Sequence, residues 1–414
     1  MKLIELCEFI VDCEHKTAPI QHEGIPSIRT PNVGRGRIIL KDVNRVSEKT
    51  YIEWTARAKP QNNDIILARE APIGNVAIIK NNLKVCLGQR TVLIRPNNKN
   101  INPDFLVYFL LSPEIQSRIL GVSNGATVHH LNMKDIRNLE IINLPNLQIQ
   151  NKVGTVMKNY DDIIDNNSRR IQLLESMAKL VYDEWFVKFK FPGHEIVKMV
   201  ESGTDFGKIP EEWQVKNIGD GFNVVLGGTP SRNTEEYWGG NIPWINSGKV
   251  NDLRIIDESE FITELGLKKS STKMMPKRTT VMAITGATLG QVSLTEMEVC
   301  ANQSVVGIYD KDNIYSEYIY LKVNEIIKDI IAKAGGGAQQ HINKDIVCET
   351  QVIIPADNVM MKFIQIIQPI FNEISNLLFK NKNLATTRDL LLPKLISGEL
   401  DVSELDIKVS EVEV

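Results

Sequence analysis

Val153, Met157, Tyr160, Ile164, Asn167, Ile171, Leu174, Ala178, Val181 and Trp185 succeed one another at alternating steps of four and three residues. Met360, Phe363, Ile367, Ile370, Ile374, Leu377, Asn381, Leu384, Arg388, Leu391 and Leu395 do the same. A step averaging about 3.5 residues keeps one stripe of a helix turned toward a partner helix, and it persists here too long for a chance surface stripe. A helix of about 35 residues is roughly 52 Å long. Each stripe holds one asparagine, Asn167 and Asn381, 214 residues apart. A seam asparagine costs stability and fixes register. The two helices are therefore expected to pair antiparallel as a coiled coil, with Asn167 and Asn381 at equivalent levels. Two long helices packed on separate cores would use the same stripes.

Working outward, each long helix follows a globular stretch, and the two stretches repeat one plan. The first has Pro72-Ile73-Gly74-Asn75-Val76, Gly88-Gln89-Arg90, Gly125 to Asn132 and Pro145; the second has Ala287 to Val292, Asn302-Gln303-Ser304, Gly337 to Asn343 and Pro355. The offset drifts from 216 at the glycines to 210 at the prolines, as loop insertions between matched elements produce. Gly24 to Thr30 is echoed by Gly240 to Ser247. Short apolar runs at 65–68, 76–79, 91–94, 280–284, 291–294 and 304–309 read as strands, and Phe105–Leu120 and Ser316–Ala334 as helices, the first opened by Asn102-Pro103. The fold class is mixed α/β, two pseudo-repeated units with two long helices. Such a molecule presents two related surfaces, an arrangement that an enzyme with one active site does not need.

A chain of 414 residues exceeds one ordinary core. An apolar fraction of 43% belongs to a globular protein, and no apolar run reaches the 18 residues of a membrane span. Acids stand too early in Met1-Lys2-Leu3-Ile4-Glu5 for a secretion signal, and five scattered cysteines fit reduced thiols in a cytoplasm. Cys7, Cys13 and His15 lie close in sequence, but zinc needs a fourth ligand and the second half does not repeat the trio, so no metal is expected. Net charge is −3, yet residues 1–145 hold 19 basic against 14 acidic side chains and residues 201–355 hold 15 against 21. The basic first half favours a polyanion partner; the acidic second half opposes indiscriminate binding.

Motifs for chemistry are wanting. Gly121-Val122-Ser123-Asn124-Gly125 matches a nucleophile elbow in letters, but a helix rather than a strand precedes the serine. No phosphate-binding Gly-x-x-x-x-Gly-Lys loop and no Asn/Asp-Pro-Pro-aromatic run of amino-methyltransferases is present, and Pro230 spoils Gly227-Gly228-Thr229 as a dinucleotide turn. The chain is expected to be non-catalytic and to hold no cofactor.

The order and double occurrence of Ile25-Pro26-Ser27-Ile28 with Ile242-Pro243-Trp244-Ile245, of the glycine turns Ala71–Val76 and Thr285–Gly290, and of Gly125–Asn132 with Gly337–Asn343 resemble the specificity subunit of type I restriction-modification systems. So do Gly207 to Trp213 and Leu392 to Leu400. The resemblance covers essentially the whole chain. It implies a first target-recognition domain at 1–146, a central conserved helical region at 147–192, a second recognition domain at 193–356, a distal helical region at 357–402 and a tail. It also implies a bipartite, asymmetric double-stranded DNA target, two modification (methyltransferase) subunits recruited through the helical regions, and restriction (translocase/endonuclease) subunits joining them. A two-lobed protein scaffold without DNA binding shares the plan but leaves the loop arginines unexplained.

DNA contact needs donors to phosphate and forked donors or amides at base edges. The first-unit candidates are Arg29, Thr30, Asn32, Arg35 and Arg37, in a Pro/Gly-rich stretch expected outside the core, with Arg69, Arg90 and His129. Arg69 is also placed for a salt bridge to Glu70 or Glu53. The second-unit candidates are Asn246, Ser247, Lys249, Thr285, Thr288 and Gln340. Gln89 and Gln303, at matched positions, suit a buried amide holding a loop as well as a base contact; His130 and His341 suit turn-holding roles. Arg69-Glu70 is matched here with Thr285-Gly286.

Overall fold

The structure, a computed structural model, describes residues 1–123, 130–334 and 341–408. In chain order the first strands and helices are β1 (Cys7–Asp12), β2 (Ile25–Ile28), β3 (Asn44–Val46), α1 (Glu48–Trp54), β4 (Ile65–Ala68), β5 (Val76–Ile78), β6 (Cys86–Leu87), β7 (Thr91–Pro96), α2 (Pro103–Leu111), α3 (Pro113–Gly121), α4 (Met133–Arg137) and α5 (Leu147–Tyr182). Then come β8 (Met199–Glu201), β9 (Lys208–Pro210), β10 (Gln214–Asn217), α6 (Ile218–Gly221), β11 (Asn223–Leu226), β12 (Trp238–Ile245), β13 (Arg254–Ile255), β14 (Glu260–Ile262) and α7 (Glu264–Lys268). The remainder are β15 (Thr280–Ala283), β16 (Val292–Thr295), β17 (Cys300–Ala301), β18 (Val305–Tyr309), α8 (Ser316–Ala332), α9 (Lys344–Glu349), β19 (Gln351–Ile354) and α10 (Asp357–Ser397). No helix among the described residues is long and apolar enough to cross a membrane.

Two compact units result: residues 1–166 with 381–414, and residues 167–380. The divide cuts both long helices next to the seam asparagines.

In the first unit an antiparallel sheet runs β1-β7-β4-β5 and a smaller one β3-β2-β6, with β2 and β6 parallel. β4 is buried along its length, as its unbroken Ile65-Ile66-Leu67-Ala68 requires. Asn102 caps α2, its side-chain oxygen accepting from Phe105 N at 2.9 Å. The helix expected over Phe105–Leu120 is two helices. Pro113 has no N–H to continue the ladder and disfavours helical backbone at Ser112, so α2 stops and α3 begins with proline in its first turn. Within this unit Val153 and Met157 of α5 share a core with Leu392 and Leu395 of α10, so these helix segments run antiparallel. Buried Asp161 receives the Tyr108 hydroxyl at 2.5 Å and the Arg388 guanidinium, which explains a basic residue in an apolar stripe. Asn381 donates to the Ile164 carbonyl at 3.3 Å.

The second unit has the same plan. Its main sheet runs β11-β18-β15-β16-β13 and its smaller one β14-β12-β17, with β12 and β17 parallel. Ile171 of α5 packs on Ile374 and Leu377 of α10, and Ala178 and Tyr182 on Phe363 and Ile367, again antiparallel. Asn167 is buried. The last turn of the α5 stripe, Asp183–Val187, widens so that Lys188 N reaches Asp183 O at 2.9 Å. A buried ionic cluster fixes the sheet to the helices inside this unit. Arg254, fully buried, lies over the Tyr320 ring at 4.3 Å and pairs with Glu175. Arg278 stands 3.5 Å from Glu296 and 3.7 Å from Glu317, and Ser375 donates to Glu296 at 2.7 Å. Burial pushes the Glu175 and Glu317 carboxyls above their ordinary range, and Glu296 is buried beside two arginines.

Candidate nucleic-acid interface

In the first unit, five chain segments meet at one end of the sheets, tied by backbone bonds. Gly88 N donates to Ile28 O at 2.8 Å, Arg69 N to Arg90 O at 2.9 Å, Leu131 N to Arg69 O at 3.1 Å, and Cys13 N to Thr91 O at 3.2 Å. A Cβ on Gly88 would fall 2.5 Å from Arg29 Cγ and 3.0 Å from Ile28 O, so the glycine leaves room for the Arg29 stem; the second unit makes the same approach with Asn302. The Gln89 amide, half-buried rather than buried, holds the neighbouring loop by donating to His15 O at 3.1 Å.

The predicted first-unit residues divide into three groups. Arg29 and Arg90 are exposed at this end, and the Arg29 side chain makes no hydrogen bond among the described residues. Thr30 and Asn32 are buried; Asn32 accepts from Arg29 N at 3.3 Å and donates to Ile39 O at 3.1 Å, so the stretch expected to lie outside the core is half inside it. Its backbone polar groups need that amide once the turn packs down. Arg35 donates to Leu111 O at 3.3 Å and Arg37 to Asp165 at 2.5 Å, and Gly36 between them sits close to Asp161 and Tyr108. This turn packs on α2 and α5. His129 lies outside the described residues.

Arg69 is buried, and its guanidinium binds neither Glu70 nor Glu53. Nε donates to Leu131 O at 2.7 Å and Nη2 lies 2.7 Å from His130 Nε2. His130 Nδ1 is 2.7 Å from Glu70 Oε1, and Glu70 Oε2 is 2.9 Å from Arg90 Nε. A guanidinium can only donate, so His130 Nε2 accepts and the imidazole proton sits on Nδ1, directed at Glu70. The side chains thus run Arg69, His130, Glu70, Arg90 in one connected chain.

The second unit repeats the backbone frame. Asn302 N donates to Ile245 O at 3.0 Å, Ile284 N to Ser304 O at 2.9 Å, Ile342 N to Ile284 O at 3.1 Å and Gly227 N to Val305 O at 3.0 Å. These bonds make Arg29 the equivalent of Asn246, Arg90 of Ser304 and His130 of His341. Arg69 is matched by Ile284 and Glu70 by Thr285, one residue earlier than the sequence comparison placed them. Asn246 is exposed and accepts from Gly248 N at 2.9 Å and Lys249 N at 3.3 Å, with Ser247 beside it. Lys249 turns to Asp252, 3.2 Å away, and to Asp257. Thr288 donates to Thr285 O at 3.5 Å, closing its turn. Exposed Gln303 accepts from the Thr229 hydroxyl, the counterpart of the Gln89 bond to His15, so both amides hold the same loop from the surface. His341 is exposed, unlike His130. Gln340 lies outside the described residues.

Arg232 went unnoticed in the sequence. It binds Glu260 through two bonds of 2.6 and 2.7 Å, and its guanidinium stacks 3.6 Å from the Trp238 ring centre. The pattern Arg-x-x-x-x-x-Trp carries no local signal; only the pairing of β12 with β14 joins the three side chains. Arg254 was missed likewise, and it holds in the second unit the edge position that Arg37 holds in the first. Ser123, of the elbow-like motif, donates to Leu120 O at 2.7 Å behind helix α3, a helix-end role.

The first unit thus offers cations at its sheet end and the second a set of amides and hydroxyls, two donor patterns on one frame. Two like frames with unlike exposed ends thus make up the chain, and its relatives identify the class of protein to which it belongs. The family described as "Type I restriction modification DNA specificity domain" matches residues 1–176 and again residues 210–383. The chain belongs to this family, the specificity subunits of type I restriction-modification systems. It is 28% identical over 371 residues to the type I restriction enzyme MjaIX specificity subunit of Methanocaldococcus jannaschii, spanning 89% of this chain and 84% of that one. It is 23% identical over 437 residues to the HindI specificity subunit of Haemophilus influenzae, spanning 90% and 94%. In fold it resembles the crystal structure of the type I restriction-modification S subunit from M. genitalium, with a TM-score of 0.57 over 95% of each chain at 16% identity.

Proposed function

We propose that this subunit reads a bipartite, asymmetric sequence in double-stranded DNA, one half-site for each of its two recognition domains, 1–146 and 193–356. Modification subunits gather on the helical regions 147–192 and 357–402, restriction subunits join them, and the methylation and cleavage chemistry belongs to those partners. The chain itself performs no catalysis and works in the cytoplasm. One observation carries the reading: a shared backbone frame presents Arg29 and Arg90 in one unit where the other presents Asn246 and Ser304. Arginine forks suit guanine, whereas Asn246, its oxygen taken by Gly248 N and Lys249 N, offers an Nδ2 donor and Ser304 a hydroxyl. Equal frames with unequal donors give an asymmetric target. Of the remaining candidates, Ser247, Thr285, Thr288 and Lys249 flank the second reading face, while Thr30 and Asn32 shape the first. His129 and Gln340 are proposed contacts in the stretches just before His130 and His341.

The test is DNA modification by the chain reconstituted with its methyltransferase subunits. One added base pair moves a half-site by about 3.4 Å and turns it by roughly 34–36°. Activity on the target should therefore collapse when the spacer is lengthened or shortened by one pair, while spacer sequence changes nothing. Equal activity across spacer lengths, or a palindromic target, contradicts the reading. Absence of any duplex preference would favour a protein scaffold instead.

A further inference from the structure

We propose that Glu70, held by His130 and Arg69, is the positioning residue that presets Arg90 to read a guanine in the half-site of the first unit. The inference rests on the DNA-reading role proposed above and adds how its first unit is set for one base.

An exposed arginine has four rotatable side-chain bonds, and freezing it on binding DNA costs affinity. Here Glu70 lies 2.9 Å from Arg90 Nε while the Arg90 side chain remains 62% exposed. The closest approach is at Nε, as an ion pair rather than an aligned hydrogen bond, and no other partner of the Nη edge is found among the described residues, so that edge is left for a planar acceptor pair such as guanine O6 and N7. Glu70 is itself only 15% exposed and cannot swing freely, because His130 holds its other oxygen at 2.7 Å. The His130 ring is held in turn from behind by Arg69 at 2.7 Å. Arg90 also adopts a backbone φ of +66°, a conformation that glycine takes at no steric cost. That the position carries arginine instead fits a side chain with a task. In the second unit the corresponding residues are Ile284, Thr285, Ser304 and His341, which cannot build the same chain. The device belongs to one half-site and contributes to the asymmetry.

A carboxylate beside DNA repels phosphate, and this gives the test opposite signs. The wild-type chain assembled with its methyltransferase subunits is measured by competition binding against its target and against duplexes with single base-pair changes. Glu70→Ala should lower discrimination by about 5- to 10-fold at one G·C pair of the first half-site, with the second half-site untouched and non-target binding unchanged or stronger. Glu70→Gln, which keeps the shape and an acceptor for His130, should give a smaller loss at the same pair. Arg90→Ala should lose at least as much there, Arg90→Lys should not restore it, and Arg90→Ala with Glu70→Ala should lose no more than Arg90→Ala alone. A loss spread evenly over both half-sites, or additive losses in the double variant, overturns the positioning role while leaving the DNA reading intact. A wild-type complex with no preference among duplexes overturns the DNA reading and this inference together.

Discussion

Arg37 donates to Asp165 on α5 at 2.5 Å, so an arginine whose Pro/Gly-rich stretch suggested the DNA face is engaged by the long helix. Both side chains are close to half exposed, 44% and 46%, which keeps the pair's worth to about 0–1 kcal/mol. Arg37→Ala should therefore shift stability by less than about 1 kcal/mol and leave DNA affinity near wild type. Arg29→Ala should weaken affinity, reducing the salt slope by about 1 if it meets phosphate. Binding titrations at low and high salt, with urea unfolding alongside, check both. An Arg37 variant as damaging to affinity as the Arg29 variant would return that turn to the DNA face.

Asp161 is buried and answers two partners, Tyr108 and Arg388. Removing it leaves the largely buried Arg388 with Asp389 alone, to which Nε and Nη2 donate, and takes the acceptor from Nη1 and from the Tyr108 hydroxyl. Asp161→Ala is expected to cost about 3–5 kcal/mol, and Tyr108→Phe about 1–2 kcal/mol. Replacing Asp161 and Arg388 together by apolar residues should recover much of the loss. Denaturant unfolding of the three variants measures this; a double replacement as unstable as the single one would refute the coupling.

Glu317 gives a pH prediction with a definite sign. Burial raises its carboxyl above the ordinary 4.5, Arg278 and Arg254 pull it down and Glu296 pushes it up. A raised acid binds more protons in the folded state, so its contribution to stability is full below about 4.5 and is lost as pH rises through the raised value. Glu317→Gln removes that dependence. The variant should be at least as stable as wild type at pH 7, and its advantage should shrink as pH falls toward 4.5. Thermal unfolding from pH 4.5 to 7.5 reads the difference, and a variant more than about 1 kcal/mol weaker at pH 7 would mean that the Arg278 pairing outweighs burial.

Two glycines should respond in opposite ways to alanine. A Cβ on Gly227 would stand 2.1 Å from Asn302 O and 2.6 Å from Ala301 O, both backbone atoms, and a loss of about 1–3 kcal/mol or more is expected. Gly121, at the end of α3, has nothing within 4 Å of its virtual Cβ, so Gly121→Ala should gain about 0.4–1 kcal/mol. Melting temperatures of the two variants decide it.

What the sequence made legible was whatever repeats or oscillates locally. The stripes predicted many seam positions, Met157, Ile171, Phe363 and Ile374 among them, all buried, but missed fully buried Tyr182 and Phe371 and named Leu391 where Leu392 faces inward. The doubled motifs predicted the doubled frame. The Ser112-Pro113 break was present in the letters but hidden under a run of apolar residues. Side-chain commitments were not legible, because Arg35, Arg37 and Arg69 find their partners at 111, 165 and 131. An arginine joined to a distant carbonyl looks, in sequence, like one turned to solvent. Arg388 was the exception that could have been pursued: a cation inside an apolar stripe calls for a buried acid across the seam, and Asp161 follows Tyr160 directly.

The division of the chain into 1–166 with 381–414, and 167–380, also dictates an order of assembly on the ribosome. The second unit is one uninterrupted stretch and can close as soon as it emerges. The first unit, though made earlier, must wait for the partner strand of its helix pair until everything in between has been translated, a delay of order ten seconds or more at about 5–20 residues per second. In the meantime the apolar faces of Val153 and Met157 have no Leu392 or Leu395 to cover them. The half of the molecule born first is therefore the half completed last, and it is the one in which slow translation or a missing C-terminal segment would do its damage.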